Sequence, residues 1–302
     1  MSVADEPTHR LADLASWSFA GTALAVLGRP VAHSLSPAMH NAALAGLARS
    51  QPRFRDWRYF KFDVDPADLP AALALFHRHR FHGLNLTVPH KAIAVEHLAA
   101  ADDFVRAAGA ANTLIRTDAG WRGANTDGHG LAAALRAEFG AELSRTPVIL
   151  LGAGGAARGA AVECLRAPVP SLWIGNRTTA ALTALLDKLA PIAGRAGLHG
   201  FDLNRPPAGL PSGALVINAT SLGLQPDDPS PIDLGTLPEP AMVYDMIYRP
   251  PETALLRQAA ARGLPRANGL SMLVHQGARS LELWTGVAAP VATMRQAAAV
   301  LA

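Results

Sequence analysis

The chain has 302 residues, half of them hydrophobic, and carries a formal net charge of +3. This length and apolar content suit two domains with separate cores. The sequence has no run of about five or more basic residues and no uninterrupted apolar run of about 18, so we predict neither a nucleic-acid surface nor a membrane span. The single cysteine, Cys164, excludes an intramolecular disulfide, and with the absence of an export-signal pattern it favours a cytoplasmic protein.

Strands and helices alternate along the first part of the chain. We predict strands at Ala23–Gly28, Trp57–Val64 and Gly83–Val88, helices at Pro37–Arg49 and Pro66–His79, and a closing strand pair at Thr113–Arg116 and Trp121–Gly123. Residues 1–19 lack this alternation, and we expect them to form a loosely attached extension.

The segment from Gly83 to Lys91 is the strongest candidate for chemistry in this part. Strand alternation puts Asn85 and Thr87 on one face and predicts that their apolar neighbours enter a core, namely Leu84, Leu86 and Val88. Lys91 follows at the start of a helix, where a cation gains nothing from the helix dipole. Because the chain has 24 arginines and only three lysines, Lys91 is a candidate for a titratable amine. A solvated surface lysine is the alternative interpretation.

A second region with the same alternation begins near residue 123. We predict helices at Asp127–Phe139, Gly154–Arg166, Thr178–Leu189 and Glu252–Arg262, and strands at Pro147–Leu151, Leu172–Gly175, Ala214–Asn218 and Met242–Asp245. The last stretch, Leu270–Leu301, has the pattern of two helices with a break at Pro290. Strands that alternate with helices predict parallel sheets covered by helices in both regions.

A glycine-rich turn follows the apolar run Val148–Leu151. Its sequence is Gly152-Ala153-Gly154-Gly155-Ala156-Ala157, the G-x-G-x-x-[GA] pattern in a strand–turn–helix context. Gly152 permits the tight turn, Gly154 lets the backbone approach a pyrophosphate, and the helix N-terminus attracts phosphates. A close-packed turn without a ligand is the alternative.

The end of the next strand indicates which dinucleotide binds. An NAD site carries Asp or Glu there to bind the ribose 2′-hydroxyl. This strand ends instead in Asn176-Arg177-Thr178, and a guanidinium and a hydroxyl suit a 2′-phosphate. We therefore predict NADP, the alternative being that Thr178 only caps the following helix and Arg177 is solvated.

Further polar residues are candidates for the same site. Ser34 and Ser36 face one ligand if their segment is extended, although a serine followed by proline is also typical of a helix N-cap. Asn112 and Asp127 lie near the border of the two regions, where Asp127 is alternatively a first-turn helix acid. Gln276 lies in an apolar helix, and a buried amide needs a partner. No histidine has metal-ligand spacing with a supporting ligand, so we predict no metal site.

Taken together, these motifs resemble the shikimate dehydrogenases. The segments that carry the resemblance, in the family's order, are Gly28–Pro37, Gly83–Lys91, Gly109–Leu114, Gly123–Gly130, Gly152–Gly159, Asn176–Thr178, Val216–Gly223, Tyr244–Tyr248 and Asn268–Gln276. The resemblance implies an α/β fold in which residues 20–122 plus 271–302 form a discontinuous substrate domain and residues 123–270 form a Rossmann-like NADP domain, with a cleft between them. It also implies reversible, NADPH-dependent reduction of 3-dehydroshikimate to shikimate in aromatic amino-acid biosynthesis.

The resemblance also implies residue roles. Lys91 and Asp127 are similar to the family's catalytic acid–base pair, and Ser34 and Ser36 to the pair that binds the substrate carboxylate. The other positions that resemble substrate-binding residues are Asn85, Thr87, Asn112, Tyr248 and Gln276. Those that resemble cofactor-binding residues are Gly152, Ala153, Gly154, Gly155, Ala156, Asn176, Arg177, Thr178, Thr220, Met246 and Gly269.

One position departs from the family pattern. Members that use NADP usually carry a second basic residue three positions after the threonine, where this chain has Ala181. We therefore expect a weaker NADP preference, with Arg158 as a candidate substitute. The alternative functions are a quinate/shikimate dehydrogenase with relaxed NAD/NADP use and a non-catalytic ligand sensor on the same scaffold. We expect a monomer or homodimer that binds neither nucleic acid nor membrane.

Overall fold

The computed structural model describes residues 6–301, which form two compact α/β units. One, here called the discontinuous unit, consists of the chain up to Thr126 together with Val274–Leu301. The other, the central unit, is Asp127–Leu273. The chain divides at 126/127 and 273/274, against predicted boundaries of 122/123 and 270/271.

The elements are numbered in chain order. The strands are β1 (Thr8–Arg10), β2 (Thr22–Gly28), β3 (Trp57–Asp63), β4 (Gly83–Leu86), β5 (Ala100–Ala101), β6 (Thr113–Thr117), β7 (Gly120–Ala124), β8 (Val148–Leu151), β9 (Ser171–Asn176), β10 (Gly197–Asp202), β11 (Leu215–Asn218), β12 (Met242–Asp245) and β13 (Arg266–Ala267). The helices are α1 (Ser36–Ser50), α2 (Leu69–Arg78), α3 (His90–Ile93), α4 (Asp103–Ala108), α5 (Asp127–Phe139), α6 (Gly155–Arg166), α7 (Thr179–Leu189), α8 (Ala254–Ala261), α9 (Leu270–Thr285) and α10 (Val291–Ala299).

The discontinuous unit is built on a mixed sheet with the strand order β1-β3-β2-β4-β6-β7-β5. Strands β1 to β4 run parallel, but β6 is antiparallel to both β4 and β7. The predicted parallel pairing is confirmed for β1 to β4 and for β5 with β7, and only β6 departs from it, because two residues separate Thr117 from its partner Gly120. A loop this short joins antiparallel neighbours, whereas a parallel pair needs a long crossover.

The prediction that residues 1–19 are loosely attached was wrong for the part that the structure describes. Strand β1 pairs in parallel with β3, and Leu14 is completely buried in the core. Trp17 packs edge-on against Phe60, with ring centroids 4.9 Å apart. This segment adds apolar side chains to the core, although the polar residues that precede them in sequence hid the apolar pattern. Residues 1–5 of the predicted extension lie outside the described part.

The predicted strand Gly83–Val88 is shorter in the structure. Strand β4 ends at Leu86, and Val88, expected in the core, is 70% exposed. Its carbonyl still accepts a hydrogen bond from the backbone of Arg29, one residue beyond the end of β2. Val88 therefore lies past the ladder, where no helix covers its side chain.

The central unit contains a six-stranded sheet in the order β10-β9-β8-β11-β12-β13, and every neighbouring pair of strands is parallel. Strands β8 and β11 are buried along their whole length, as expected for apolar runs with helices on both faces. Strand β10 was not predicted, because Gly197-Leu198-His199-Gly200 has neither apolar alternation nor β-branched residues. Strand β10 forms because it pairs in register with β9. The predicted α/β class with a Rossmann-like nucleotide-binding part is confirmed.

The helices follow the predicted pattern closely. Helix α5 has the predicted bounds, and the last stretch forms two helices with Pro290 immediately before α10. Most of α9 and all of α10 belong to the discontinuous unit. Within residues 6–301, no helix is both long and apolar enough to cross a membrane.

Candidate functional site

The two serines of the discontinuous unit lie at the start of α1. Ser34 is half-buried, and its hydroxyl oxygen accepts a hydrogen bond from the backbone N–H of Ser36 at 3.3 Å. The intervening Leu35 has helical backbone angles, φ −80° and ψ −8°, so the extended conformation that was the condition for both serines to face one ligand is absent at Leu35. Leu35, and not Ser36, is the N-cap, because Ser36 is already the first helical residue. The N-cap interpretation of Ser36 was therefore wrong as well.

Tyr59 connects α1 to strand β4. Its hydroxyl donates to Oδ1 of Asn85 at 2.7 Å, and its backbone exchanges two hydrogen bonds with the Asn41 amide of α1. The Asn85 amide nitrogen in turn donates to the carbonyl oxygen of Asn112 at 3.0 Å and to Ser280 Oγ at 3.0 Å. Burial raises the pKa of Tyr59 well above its ordinary value, opposed by the neighbouring Ser36 side chain. Tyr59 thus stays a neutral donor that holds Asn85 in one orientation.

Asn112 is the centre of a buried polar network. Its Oδ1 accepts from the backbone N–H of Thr126 at 2.8 Å, and its Nδ2 donates to Gln276 Oε1 at 3.2 Å. The hydroxyls of Thr113, Thr126 and Ser280 link the two asparagines, with Thr113 and Ser280 only 2.7 Å apart. The structure therefore joins Asn85, Asn112 and Gln276, three predicted site residues, in one network.

Thr87 and Lys91 lie just after β4. The backbone N–H of Thr87 donates to the Leu27 carbonyl, and the Thr87 methyl group lies where a Cβ on Gly28 would stand, only 2.3 Å away. A larger residue at position 28 would displace Thr87. Lys91 is half-buried in α3, and its carbonyl accepts from the N–H of Ala111 at 2.8 Å, which ties it to the segment that carries Asn112.

His40 lies beside this network without taking part in it. Its ring is completely buried and stacks on Tyr59, with centroids 4.2 Å apart and planes inclined by 11°. Among residues 6–301, neither ring nitrogen has a hydrogen-bond partner. Burial lowers the pKa of His40 from its ordinary 6.5 to about 3. Between pH 6.5 and about pH 3, the folded protein therefore keeps His40 neutral, whereas the unfolded chain protonates it.

Replacing His40 is expected to flatten the acid limb of the stability curve. The unfolded histidine takes up a proton below pH 6.5 and the folded one only near pH 3, so the parent loses about 1.4 kcal/mol per pH unit across that window. Between pH 7 and pH 5, His40→Leu should lose about 2 kcal/mol less unfolding free energy than the parent. Urea denaturation at each pH measures this. The exposed His97, changed to Gln, is the control, and parallel curves for His40→Leu and the parent would contradict the prediction.

In the central unit, the glycine-rich turn joins β8 to α6. Gly152 has φ +111°, and its N–H donates to the carbonyl of Gly175 at 2.7 Å. A Cβ there would meet the Ala219 carbonyl oxygen at 3.0 Å, whereas one on Gly154 or Gly155 would meet no atom within 4 Å. Gly154 through Ala156 are exposed and Ala153 is half-buried. The turn thus offers open backbone at a helix N-terminus, which fits a pyrophosphate.

The end of β9 fits the phosphate of NADP. Arg177 and Thr178 are exposed, and the Asn176 amide donates to the Thr178 carbonyl at 3.0 Å. Thr178 occupies the N-cap position of α7, but its side chain makes no capping hydrogen bond. Thr178 thus stands at the N-cap and Arg177 is exposed, as the alternative interpretation has it, but the Thr178 hydroxyl makes no capping hydrogen bond, and binding of the 2′-phosphate stays a prediction. Ala181 is exposed, and the buried Nε of Arg158 has no partner among the described residues.

A second polar network supports the other predicted cofactor positions. Asp245 is completely buried and accepts hydrogen bonds from Asn218 Nδ2 at 3.0 Å and Thr253 Oγ1 at 2.6 Å. Burial raises the pKa of Asp245, opposed by these hydrogen bonds. Asn218 Oδ1 also accepts from the hydroxyl of Thr220, and its carbonyl accepts from the N–H of Met246. This network fixes the ends of β11 and β12.

Position 269 has no room for a side chain larger than that of glycine. A Cβ at this position would come within 2.1 Å of the Met246 carbonyl oxygen. Its N–H donates to the carbonyl of Ile247 at 3.0 Å. Gly269 therefore lets the chain pass directly against the segment that follows β12.

Asp127 and Tyr248, the remaining candidates, belong to the central unit. Asp127 is the half-buried first residue of α5. Tyr248 is half-buried shortly after β12, and burial raises its pKa, with Arg249 opposing the shift. Within residues 6–301, no cluster of three histidine, cysteine or acidic side chains is placed to hold a metal ion.

Sequence reasoning missed the residues that hold the site in position. Ser280 lies one helical turn after Gln276, and Thr126 immediately precedes Asp127, so their spacing alone could have suggested both. Tyr59 lies on β3, which α2 separates from β4 along the chain. Nothing local in the sequence connects Tyr59 to Asn85.

An open glycine turn on a parallel sheet, followed by an asparagine–arginine–threonine strand end, defines a dinucleotide-binding protein of the Rossmann type. Residues 26–114 match the model of the shikimate dehydrogenase substrate-binding domain, and residues 269–299 match that of the shikimate 5′-dehydrogenase C-terminal domain. The shikimate dehydrogenase (NADP(+)) of Symbiobacterium thermophilum is 41% identical over 284 residues, covering 92% of this chain and 94% of the relative. The chain belongs to the shikimate dehydrogenase family, which confirms the resemblance.

Two solved structures agree with this assignment. Shikimate 5-dehydrogenase from Thermus thermophilus, in complex with NADP(H) and shikimate, is 36% identical with a TM-score of 0.81, over 93% of this chain and all of that one. The ligand-free 5-ketofructose reductase of a Gluconobacter strain is 30% identical with a TM-score of 0.83, over 94% of this chain and all of that one. The same fold therefore carries proteins named for different substrates.

Proposed function

We propose that the protein is an NADP-dependent oxidoreductase that reduces 3-dehydroshikimate reversibly to shikimate, in aromatic amino-acid biosynthesis. The observation that carries the proposal is the buried network of Asn85, Asn112 and Gln276, whose positions match the family residues that hold the ring hydroxyls. The open glycine turn and the basic end of β9 supply the fitting cofactor site.

We propose that polar side chains hold the substrate. Ser34 and Ser36 bind the carboxylate, with Tyr248 as a further contact, and Thr87, Asn112 and Gln276 bind the ring hydroxyls. The amide nitrogen of Asn85 already has three acceptors within 3.2 Å, so a substrate hydroxyl would contact Asn85 by donating to Oδ1, which accepts one hydrogen bond from Tyr59 and has a second lone pair. Its larger contribution is to orient the Asn112 segment.

Reduction of a ketone requires a hydride at carbon and a proton at oxygen. Bound NADPH would supply the hydride. The glycine turn, together with Asn176, Arg177 and Thr178, would hold the cofactor. Lys91 donates the proton to the developing alkoxide, and in the reverse direction accepts it. Asp127 is the acidic member of this proposed acid–base pair. Pre-positioned polar groups supply the remaining rate enhancement by orienting the ring.

The decisive test is steady-state oxidation of shikimate and of quinate, each with NADP and with NAD. We expect shikimate with NADP to exceed every other pair by well over tenfold in kcat/KM. Comparable rates with quinate or NAD would indicate the quinate/shikimate dehydrogenase alternative. No turnover with any pair would indicate the ligand sensor.

Arg177 should dominate the choice between NADP and NAD. Hydrogen bonds to a charged group are worth about 1.5–3 kcal/mol, so Arg177→Ala should raise the KM for NADP by about 10- to 150-fold and leave that for NAD nearly unchanged. The matched control is Arg195→Ala, an exposed arginine of the same unit. An equal rise for both cofactors would contradict 2′-phosphate recognition. Arg158→Ala, measured in parallel, tests whether Arg158 substitutes for a basic residue at Ala181; an unchanged KM for NADP excludes it.

The cellular setting is proposed from the single cysteine. Cys164 is buried, and burial raises the pKa of its thiol to about 12, which keeps it unreactive. A protein without disulfides suits the reducing cytoplasm. We propose a monomer or homodimer that binds small molecules and neither nucleic acid nor membrane; light scattering after gel filtration gives the oligomeric state.

A further inference from the structure

A buried threonine and a buried aspartate hydrogen-bond to each other where β12 ends. Thr253 is only 2% exposed and Asp245 is completely buried, and the Thr253 hydroxyl donates to Asp245 Oδ2 at 2.6 Å. A bond this short is typical of a hydroxyl that donates to a carboxylate. The other oxygen, Oδ1, accepts from the Asn218 amide and from the N–H of Ile247, both at 3.0 Å. Thr253 also caps α8, but a cap needs no buried carboxylate, so the pair calls for another reason.

The Asn218 amide carries this constraint to the segment after β11. Its nitrogen donates to Asp245 and, at 3.1 Å, to the Leu222 carbonyl. Its Oδ1 accepts from the backbone N–H of Thr220 at 3.0 Å and from the Thr220 hydroxyl at 2.8 Å. All four hydrogen-bonding positions of the amide are therefore used. A carboxylate accepts and does not donate, so Asp245 fixes which end of the Asn218 amide faces Thr220.

Thr220 lies against the glycine-rich turn. Asn218 pairs in register with Leu151, the residue before the turn, and the Thr220 methyl group lies 3.1 Å from where a Cβ on Gly152 would stand. The carbonyl of Asn218 also accepts from the N–H of Met246 at 2.9 Å. A shift of Asn218 would therefore move Thr220 and Met246 together, next to the turn that fits the pyrophosphate.

The order of strands in the sheet indicates which half of a dinucleotide meets these residues. Strand β9, which Arg177 follows directly, lies on one side of β8, and β11 and β12 lie on the other side. Ligands of such sheets bind outside the carboxyl ends of the strands. A cofactor with its pyrophosphate at the turn after β8 and its 2′-phosphate near Arg177 must therefore extend its nicotinamide half over β11 and β12.

We infer that Asp245 and Thr253 are positioning residues for the nicotinamide half of the cofactor. They act through Asn218, which fixes Thr220 and Met246. The inference rests on the proposed function, in which bound NADPH supplies the hydride. Both residues are buried, so they act without contacting the cofactor. Misplacing a reacting group by about 1 Å can lower the rate about 10²-fold, so this positioning matters for turnover.

The test separates the two halves of the cofactor with two ligands. Adenosine 2′,5′-bisphosphate contains only the half that lies near Arg177, whereas NADP contains both halves. Thr253→Val keeps the shape of the side chain but removes the hydroxyl that donates to Asp245 Oδ2. We expect this variant to raise the dissociation constant for NADP by about 10- to 150-fold, the equivalent of one hydrogen bond to a charged group, and to leave that for the bisphosphate unchanged. Calorimetry measures both constants.

Two variants serve as controls. Thr253→Ser keeps the hydroxyl and should bind both ligands as the parent does. Thr236→Val removes an exposed hydroxyl of the same unit, which donates to the Asp233 carbonyl at 2.7 Å, and should also leave both constants unchanged. Equal losses for NADP and the bisphosphate in Thr253→Val would overturn the inference in favour of a purely structural role. Parent-like binding of NADP by Thr253→Val would overturn it as well.

A second variant keeps the inference testable if Thr253→Val does not fold. Asp245→Asn has the same shape and keeps Oδ1 for Asn218 and Ile247, but it replaces the acceptor of the Thr253 hydroxyl, so it should show the same selective loss for NADP. Failure of both variants to fold, measured by circular dichroism, would overturn the inference in favour of a structural role. A parent that binds NADP without oxidising shikimate would count against the proposed function alone, because the dissociation constants are measured without turnover. A parent that does not bind NADP would overturn both.

Discussion

Lys91→Ala is expected to lower kcat for shikimate oxidation by about 10²–10⁴-fold, the usual contribution of a positioned acid–base group. The KM for shikimate should change far less, because the amine acts mainly in the transition state. Lys91 lies in the short helix after β4, tied through its carbonyl to the segment that carries Asn112. Its backbone position therefore does not depend on its side chain, and the variant should fold normally. Steady-state kinetics with NADP measure both constants.

Two comparisons make this result specific to Lys91. Lys188→Ala removes an exposed lysine of the central unit and should leave kcat unchanged. Asp127→Asn should also lower kcat, because it removes the acidic member of the proposed acid–base pair. A Lys91→Ala variant with near-parent kcat would exclude Lys91 as proton donor. Unchanged turnover in Asp127→Asn would reduce Asp127 to a first-turn helix acid.

Trp284→Ala should cause the largest loss of stability, about 3–5 kcal/mol of unfolding free energy. Trp284 is only 5% exposed, and its Nε1 donates to the Leu114 carbonyl at 3.0 Å. Its indole fills the space over Gly83, where an added Cβ would come within 2.1 Å of Nε1. Truncation therefore leaves a cavity and removes one hydrogen bond from a buried carbonyl. Urea denaturation followed by circular dichroism measures the loss.

A tryptophan of the other unit gives the matched control. Trp173 is half-buried on β9 and stacks on the exposed His199, with ring centroids 4.2 Å apart. Trp173→Ala should cost less than half as much, because solvent already reaches one side of the ring. Gly83→Ala should be destabilising for the complementary reason, since its new methyl group meets the indole. A Trp284→Ala variant as stable as Trp173→Ala would contradict the cavity argument.

Much of the fold follows from local pattern. Apolar runs such as Val148–Leu151 become strands buried on both faces, and α5 begins and ends where its periodicity does. Strands that depend on a partner for their formation were missed or misjudged. Strand β10 forms only against β9, and Trp17 packs among aromatic rings distant in sequence, whereas the predicted pair of β6 and β7 is present.

The sequence by itself determined the chemistry of the candidate site. Its glycine turn, its Asn176-Arg177-Thr178 strand end and its Lys91 segment carry their information in residue type and spacing, which local backbone geometry converts directly into position. Only the tertiary structure decided which side chains from distant elements hydrogen-bond to other residues of the candidate site. Tyr59 reaches Asn85, and Ser280 reaches Thr113, through side chains from separate strands and helices. The physical reason is that a buried polar group must find its partner in space, and no sequence spacing fixes which distant element supplies it.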